Sequence, residues 1–157
     1  MTAQLAVGAK APDFHLDRDG GGRAKLGDFK GKKLVLYFYP KDDTTGCTQE
    51  AIEFNGLRKE FEKAGAVVVG VSPDNAAKHD KFKKKHDLAL PLLSDESTAM
   101  LEAFGVWKEK SMYGRKYMGV ERTTFLIDGK GVIREIWPKV KVVGHAKAVL
   151  EATKKLA

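Results

Sequence analysis

The sequence predicts an α/β domain, a central mixed β-sheet flanked by helices, and three observations carry that reading. Leu34-Val35-Leu36-Tyr37-Phe38-Tyr39 and Ala66-Val67-Val68-Val69-Gly70-Val71 are apolar throughout, as suits strands covered on both faces. Between them, apolar residues recur at Ala51, Phe54, Leu57, Phe61 and Ala64, the three-and-four spacing of a helix with one buried face. Further on, Thr123-Thr124-Phe125-Leu126-Ile127 and Val132-Ile133-Arg134-Glu135-Ile136-Trp137 flank Asp128-Gly129-Lys130-Gly131, a strong hairpin signal.

In chain order, the stretch before residue 30 reads as an N-terminal β-hairpin turning at Gly20-Gly21-Gly22. The first apolar strand is stopped by Pro40, and a helix over 47–64 closes at Gly65. The second apolar strand completes a right-handed parallel βαβ unit. Asp74 or Asn75 can cap a lysine-rich helix reaching about residue 86. Residues 90–93 read as a short extended piece and 96–104 as another helix. After the hairpin, a last helix is expected over about 144–156, with Ala146, Val149, Leu150 and Thr153 towards the sheet. This succession is that of a thioredoxin-like fold with an added N-terminal β-hairpin, in a single domain over 1–157.

A chain of 157 residues can bury about 70% of its unfolded surface, enough for a self-sufficient core. Its composition, 43% hydrophobic and 31% charged, is ordinary for a soluble globular protein. The net charge of +7 raises the question of a nucleic-acid partner. The excess is lysine, however, with 22 Lys against 6 Arg, whereas planar phosphate and base recognition favours Arg. The basic residues are also interleaved with acids, so a solvated surface is the expectation. Lys83-Lys84-Lys85 is the one cluster that keeps a nucleic-acid reading open. One cysteine cannot form an internal disulfide, which suits a reducing cytoplasm. Residues 1–14 show no leader pattern, and the longest apolar run, 34–40, is too short to span a bilayer. His15, His79, His86 and His145 are scattered, and there is no Cys-x-x-Cys, phosphate-binding loop or dinucleotide fingerprint. Neither cofactor nor metal is expected.

The sole cysteine, Cys47, ends the loop Pro40-Lys41-Asp42-Asp43-Thr44-Thr45-Gly46-Cys47, between a buried strand and an amphipathic helix. A thiol in a helix's first turn lies among N–H groups without intrahelical acceptors, at the positive end of the dipole. Both effects favour the thiolate, which is the nucleophile. A small apolar core residue is the plainer fate of a lone cysteine. The spacing of proline, threonine and cysteine in the loop argues for the reactive role.

On these residues the chain resembles the peroxiredoxins, most closely the bacterioferritin comigratory protein or peroxiredoxin Q group. The resemblance covers nearly the whole chain. It includes Val7-Gly8-Ala9-Lys10-Ala11-Pro12-Asp13-Phe14, residues 37–50, Pro91-Leu92-Leu93-Ser94-Asp95, Glu121-Arg122-Thr123-Thr124-Phe125-Leu126-Ile127-Asp128 and Gly144-His145-Ala146. It implies that Cys47 is the peroxidatic cysteine, that Pro40 and Thr44 complete the loop motif, and that Arg122 approaches the thiolate from a neighbouring strand. Thiolate attack on an O–O bond places negative charge on the departing oxygen, which the Thr44 hydroxyl, the loop N–H groups and Arg122 would meet. Thr44 or Thr45 can equally be the helix N-cap. Glu50 reads as a first-turn acid complementing the dipole, or as a polar residue that holds the loop.

Two departures stand out. Many relatives carry a resolving cysteine five residues after the first, or one on the following helix. Here those places hold Ile52 and Phe82-Lys83-Lys84-Lys85. Ile52 falls roughly 140° around the helix from Cys47 and faces away from it. Thr45 stands where proline is frequent. The resemblance therefore implies a one-cysteine enzyme, a monomer or weak homodimer. It would reduce hydrogen peroxide and organic hydroperoxides and rely on an external thiol: thioredoxin, glutaredoxin or a low-molecular-weight thiol. A redox sensor without turnover, or a redox-linked binding module, is the alternative.

Overall fold

The computed structural model describes residues 5–156; the first four residues of the stretch read for a leader lie outside the described residues. A seven-stranded mixed sheet forms the middle layer. Its strands are β1 (His15–Arg18), β2 (Arg23–Lys25), β3 (Lys33–Phe38), β4 (Ala66–Ser72), β5 (Leu92–Ser94), β8 (Thr123–Ile127) and β9 (Ile133–Trp137), in the spatial order β2-β1-β5-β4-β3-β8-β9. β3, β4 and β5 are parallel, and β8 returns antiparallel to β3 with Leu36 opposite Phe125 and Phe38 opposite Thr123. The expected N-terminal hairpin is β1–β2, which extends the sheet by pairing antiparallel to β5.

β3 is buried on both faces because its side chains alternate between two cores. Leu34, Leu36 and Phe38 join Phe14, Val69, Val71, Phe104 and Phe125 on one side. Val35, Tyr37 and Tyr39 meet Cys47, Ala51, Phe54, Phe61 and Val149 on the other. The second face carries the helices α1 (Thr45–Gly56), α2 (Arg58–Lys63), α3 (Ala76–His86) and α5 (His145–Lys155). Ala146, Val149, Leu150 and Thr153 of α5 are buried, as their spacing predicts.

Several boundaries differ from the sequence reading. The helix expected over 47–64 starts earlier, at Thr45, and divides at Leu57 into α1 and α2. Asn55-Gly56 is a weak helix-forming pair. The Asn55 amide is moreover engaged elsewhere: its Oδ1 accepts the Ala89 N–H at 2.8 Å. The helix expected over 96–104 shrinks to α4 (Ala99–Ala103). Thr98 adopts a left-handed φ of 67°, which no helix can run through, and the Asp95 carboxylate accepts the Leu101 N–H at 2.8 Å. Residues 105–122, assigned no element from sequence, form a separate antiparallel ribbon of β6 (Trp107–Met112) and β7 (Arg115–Val120).

Candidate active site

β3 ends in the apolar core at Phe38, and Tyr39 still donates its N–H to the Val71 carbonyl at 3.0 Å. Pro40, half-buried, follows without a donor and takes the chain out of the ladder. Asp43 turns the loop with φ of 62°, and Thr44 is extended, so α1 begins at Thr45. The first helical bond of α1 runs from the Thr48 N–H to the Thr44 carbonyl at 2.8 Å, which leaves the N–H groups of Thr45, Gly46 and Cys47 ahead of the ladder. Cys47 is the third residue of this helix, and only 1% of its surface is exposed.

Arg122 immediately precedes β8, the neighbour of β3, so the sheet delivers it across the helix start. Its guanidinium forks. Nη2 lies 3.3 Å from Cys47 Sγ, and Nη1 donates to Glu50 Oε1 at 2.7 Å. Gly46 makes this approach possible: a Cβ there would stand 3.3 Å from Arg122 Nη2. Burial weakens the charge of Arg122, but Glu50 and Cys47 outweigh it, and its pKa is raised. Glu50 responds in the other direction. Burial pushes its carboxyl up to about 7 against the pull of Arg122, and among the described residues its Oε2 has no hydrogen-bond partner. The Tyr37 ring stacks on Phe54 at 4.7 Å on the same face of the sheet. Its phenol titrates well above the ordinary range, through burial first and the charge of Glu50 second.

Of the sequence-derived site residues, Cys47 and Arg122 are brought into direct contact. Thr44 occupies the N-cap position, but its hydroxyl donates to the Lys41 carbonyl at 2.9 Å rather than accepting a helix N–H. Pro40 shapes the loop without a polar contact of its own. Ile52 is 48% exposed, consistent with its place away from Cys47. The reading of Glu50 as a first-turn acid is corrected: the first turn of α1 holds no acid, and Glu50 is buried one turn on as the partner of Arg122. Its phase carried the signal. Three residues after Cys47 and four before Phe54, it lies on the apolar face of α1.

Sequence reasoning assigned no role to two further buried groups near the site. His145, whose Nε2 lies 2.8 Å from Thr124 Oγ1, packs edge-on against Phe54 and Trp137; burial, aided by Arg122, lowers its pKa to about 4. The second group is the Asp42–His79 pair, with Nδ1 of the imidazole 2.6 Å from the carboxylate. Among the described residues no cluster of His, Cys, Asp and Glu could hold a metal ion, and no helix is long and apolar enough to cross a membrane.

The profile of the AhpC/TSA family matches residues 7–136. The chain is 51% identical to the putative peroxiredoxin Bcp of Coxiella burnetii, covering 93% of this chain and 97% of that protein. It is 49% identical to peroxiredoxin Bcp of Bacillus subtilis over 98% of each. Among solved structures, a Cys-to-Ser mutant of Xylella fastidiosa PrxQ superposes with a TM-score of 0.92 at 41% identity, covering 97% of each chain. Xanthomonas campestris bacterioferritin comigratory protein, a structure bearing on alkyl peroxide reduction activity, superposes with 0.86 at 49% identity over 90% of each.

Proposed function

The chain belongs to the AhpC/TSA family, and from that premise we propose that Cys47 is its reacting group, with Arg122, Thr44 and Pro40 as the surrounding machinery. The protein is a thiol-dependent peroxidase, a peroxiredoxin of the Bcp or peroxiredoxin Q kind. The observation that carries the residue assignment is the 3.3 Å contact between Arg122 Nη2 and Cys47 Sγ. A guanidinium there stabilises negative charge on sulfur before the reaction and on the departing oxygen during it.

The thiolate attacks the nearer oxygen of ROOH. The S–O bond forms as the O–O bond breaks, the electron pair leaves with RO⁻, and a proton completes ROH. Sulfur is oxidised to the sulfenic acid, and the peroxide is reduced. The N–H groups of Thr45, Gly46 and Cys47 and the Thr44 hydroxyl, once it turns from Lys41, are the further donors available to the leaving oxygen. Pro40 adds no donor of its own and fixes where the loop departs from β3.

With one cysteine in the chain, the sulfenic acid is resolved from outside. A thiol R′SH condenses with it to a mixed disulfide and water, and a second thiol releases Cys47 and R′SSR′. Thioredoxin, glutaredoxin and low-molecular-weight thiols are the candidate reductants. The test is intact mass before and after one equivalent of hydrogen peroxide or cumene hydroperoxide, followed by the reductant panel. One added oxygen at Cys47, removed catalytically by a thiol, is the expected result. A thiol left unmodified would overturn the assignment, and oxidation that no thiol reverses would favour a sensor without turnover.

A further inference from the structure

Beside the thiol site, and not used by the reaction above, is a buried polar network around Asp42. Asp42 Oδ1 accepts the Tyr39 hydroxyl at 2.6 Å, and Oδ2 lies 2.6 Å from His79 Nδ1. Its backbone N–H donates to Asp74 Oδ2 at 2.7 Å, an oxygen that also accepts the Ser72 hydroxyl at 2.8 Å. His79 is completely buried, and its Nε2 lies 2.9 Å from the Leu93 carbonyl oxygen. One loop residue is thus held by the end of β3, the end of β4 and α3, and through α3 by β5.

Protons fix the character of the clamp. A carbonyl oxygen only accepts, so Nε2 of His79 carries hydrogen. Nδ1 then faces a carboxylate oxygen at a distance that requires a proton on that line as well. The pair therefore holds one more proton than a neutral imidazole beside a carboxylate would.

We propose that His79 is a positioning residue for the peroxidase reaction: through Asp42 it holds the 41–46 loop, and so sets Cys47 Sγ against Arg122. The loop offers little stiffness of its own. Asp43 is left-handed, and its side chain is itself tied to α3, by Lys85 at 2.8 Å and His86 at 2.9 Å. The loop that leads into the helix start is therefore tied to α3 as well as to the ends of β3 and β4. The proposal rests on the peroxidase reading of Cys47.

The pH dependence has a definite sign. Burial opposes the charge on His79, but its bond to Asp42 outweighs burial, and its pKa is raised. The remaining charged and titratable groups about it are few. Asp74, with Lys78 at 3.9 Å, adds negative charge, and the Tyr39 phenol stays protonated. The neighbouring turn offers Asp19, matched by Lys83 at 2.6 Å and Arg18 at 3.5 Å. β5 offers the Leu93 carbonyl. The clamp is complete below the ordinary imidazole range of about 6.5 and is lost as pH rises through the folded value.

Asp42→Asn provides the discriminating variant. Its amide N–H can donate to Nδ1 of a neutral His79 while its oxygen still accepts from Tyr39, so the geometry survives without the extra proton. The experiment measures the second-order rate of Cys47 oxidation by hydrogen peroxide. Alongside it, amide hydrogen exchange is followed over 42–48 across pH, for the wild type, His79→Leu, Asp42→Ala and Asp42→Asn. His79→Leu and Asp42→Ala are expected to slow oxidation at least about tenfold and to deprotect 42–48 while β3 and α5 stay protected. Asp42→Asn is expected to recover both relative to Asp42→Ala, and to lack the wild type's alkaline loss of loop protection. A folded His79→Leu reacting at the wild-type rate, or an Asp42→Asn no better than Asp42→Ala, overturns the proposal. Should His79→Leu not fold, the two Asp42 variants decide. A wild type inert to peroxide would defeat the peroxidase reading, and the exchange comparison would still decide the clamp.

Discussion

Arg122 is asked to do two things with one side chain, and its shape is what allows it. Only a planar fork places one nitrogen on Glu50 and another on Cys47. Arg122→Ala is therefore expected to lower the second-order rate with peroxide on the order of a hundredfold, and Arg122→Lys to recover little of it, as measured by stopped-flow or competition kinetics. Thr44→Val keeps the shape of the loop residue and removes its donor. The same kinetics should show a loss of similar order, with stability lowered by only about 1 kcal/mol for the bond to Lys41. If stability falls and the remaining folded protein reacts normally, Thr44 is a structural residue alone. Glu50 adds a pH signature. The folded carboxyl titrates at about 7 and the unfolded one near 4.5, so the folded state binds the proton that the unfolded chain has released between those values. Stability from this group is thus highest at low pH and declines as pH climbs across that window, by on the order of 3 kcal/mol in full. In Glu50→Gln, urea midpoints at pH 5 and pH 8 should lie closer together than in the wild type.

At the scale of the elements, β3 and β4 were legible because both are buried on two faces, which leaves an uninterrupted apolar run. β6 and β7 were not. Their residues are mostly exposed on both sides, so Lys108-Glu109-Lys110-Ser111 shows no alternation, and only the Tyr113-Gly114 pair at the tip hints at a turn. The division of α1 from α2 depends on what Asn55 bonds across space, and the late start of α4 on Asp95, both beyond the reach of periodicity. Cys47 and Arg122, which the structure brings into contact, were singled out in the sequence because a motif surrounds them. Asp42 and His79 lie 37 residues apart with no pattern linking them, and only the fold joins them. Gly70 exposes how tightly β4 is packed: a Cβ would lie 2.8 Å from both Leu92 Cδ2 and the Tyr37 ring. Gly70→Ala should destabilise the protein by about 1–3 kcal/mol in urea unfolding, because both neighbours are buried in the core and one of them must shift.

Taken whole, the molecule isolates its one thiol. Cys47 is buried, and Ile52 and the 82–85 stretch of α3 bring no second sulfur to it. Peroxide added without reductant should therefore yield monomers heavier by two or three oxygens, and early thiol should prevent it, as read by intact mass and non-reducing electrophoresis. A quantitative covalent dimer would mean that the thiol emerges far enough to meet another copy. The separation of 75 residues between the cysteine and its arginine also has a consequence in time. A ribosome adding 5–20 residues per second makes Arg122 roughly 4–15 s after Cys47. Until β8 is made and pairs with β3, the thiol of the nascent chain has no guanidinium beside it. On the proposed role of Arg122, a chain truncated before β8 should react with peroxide more slowly than the finished one.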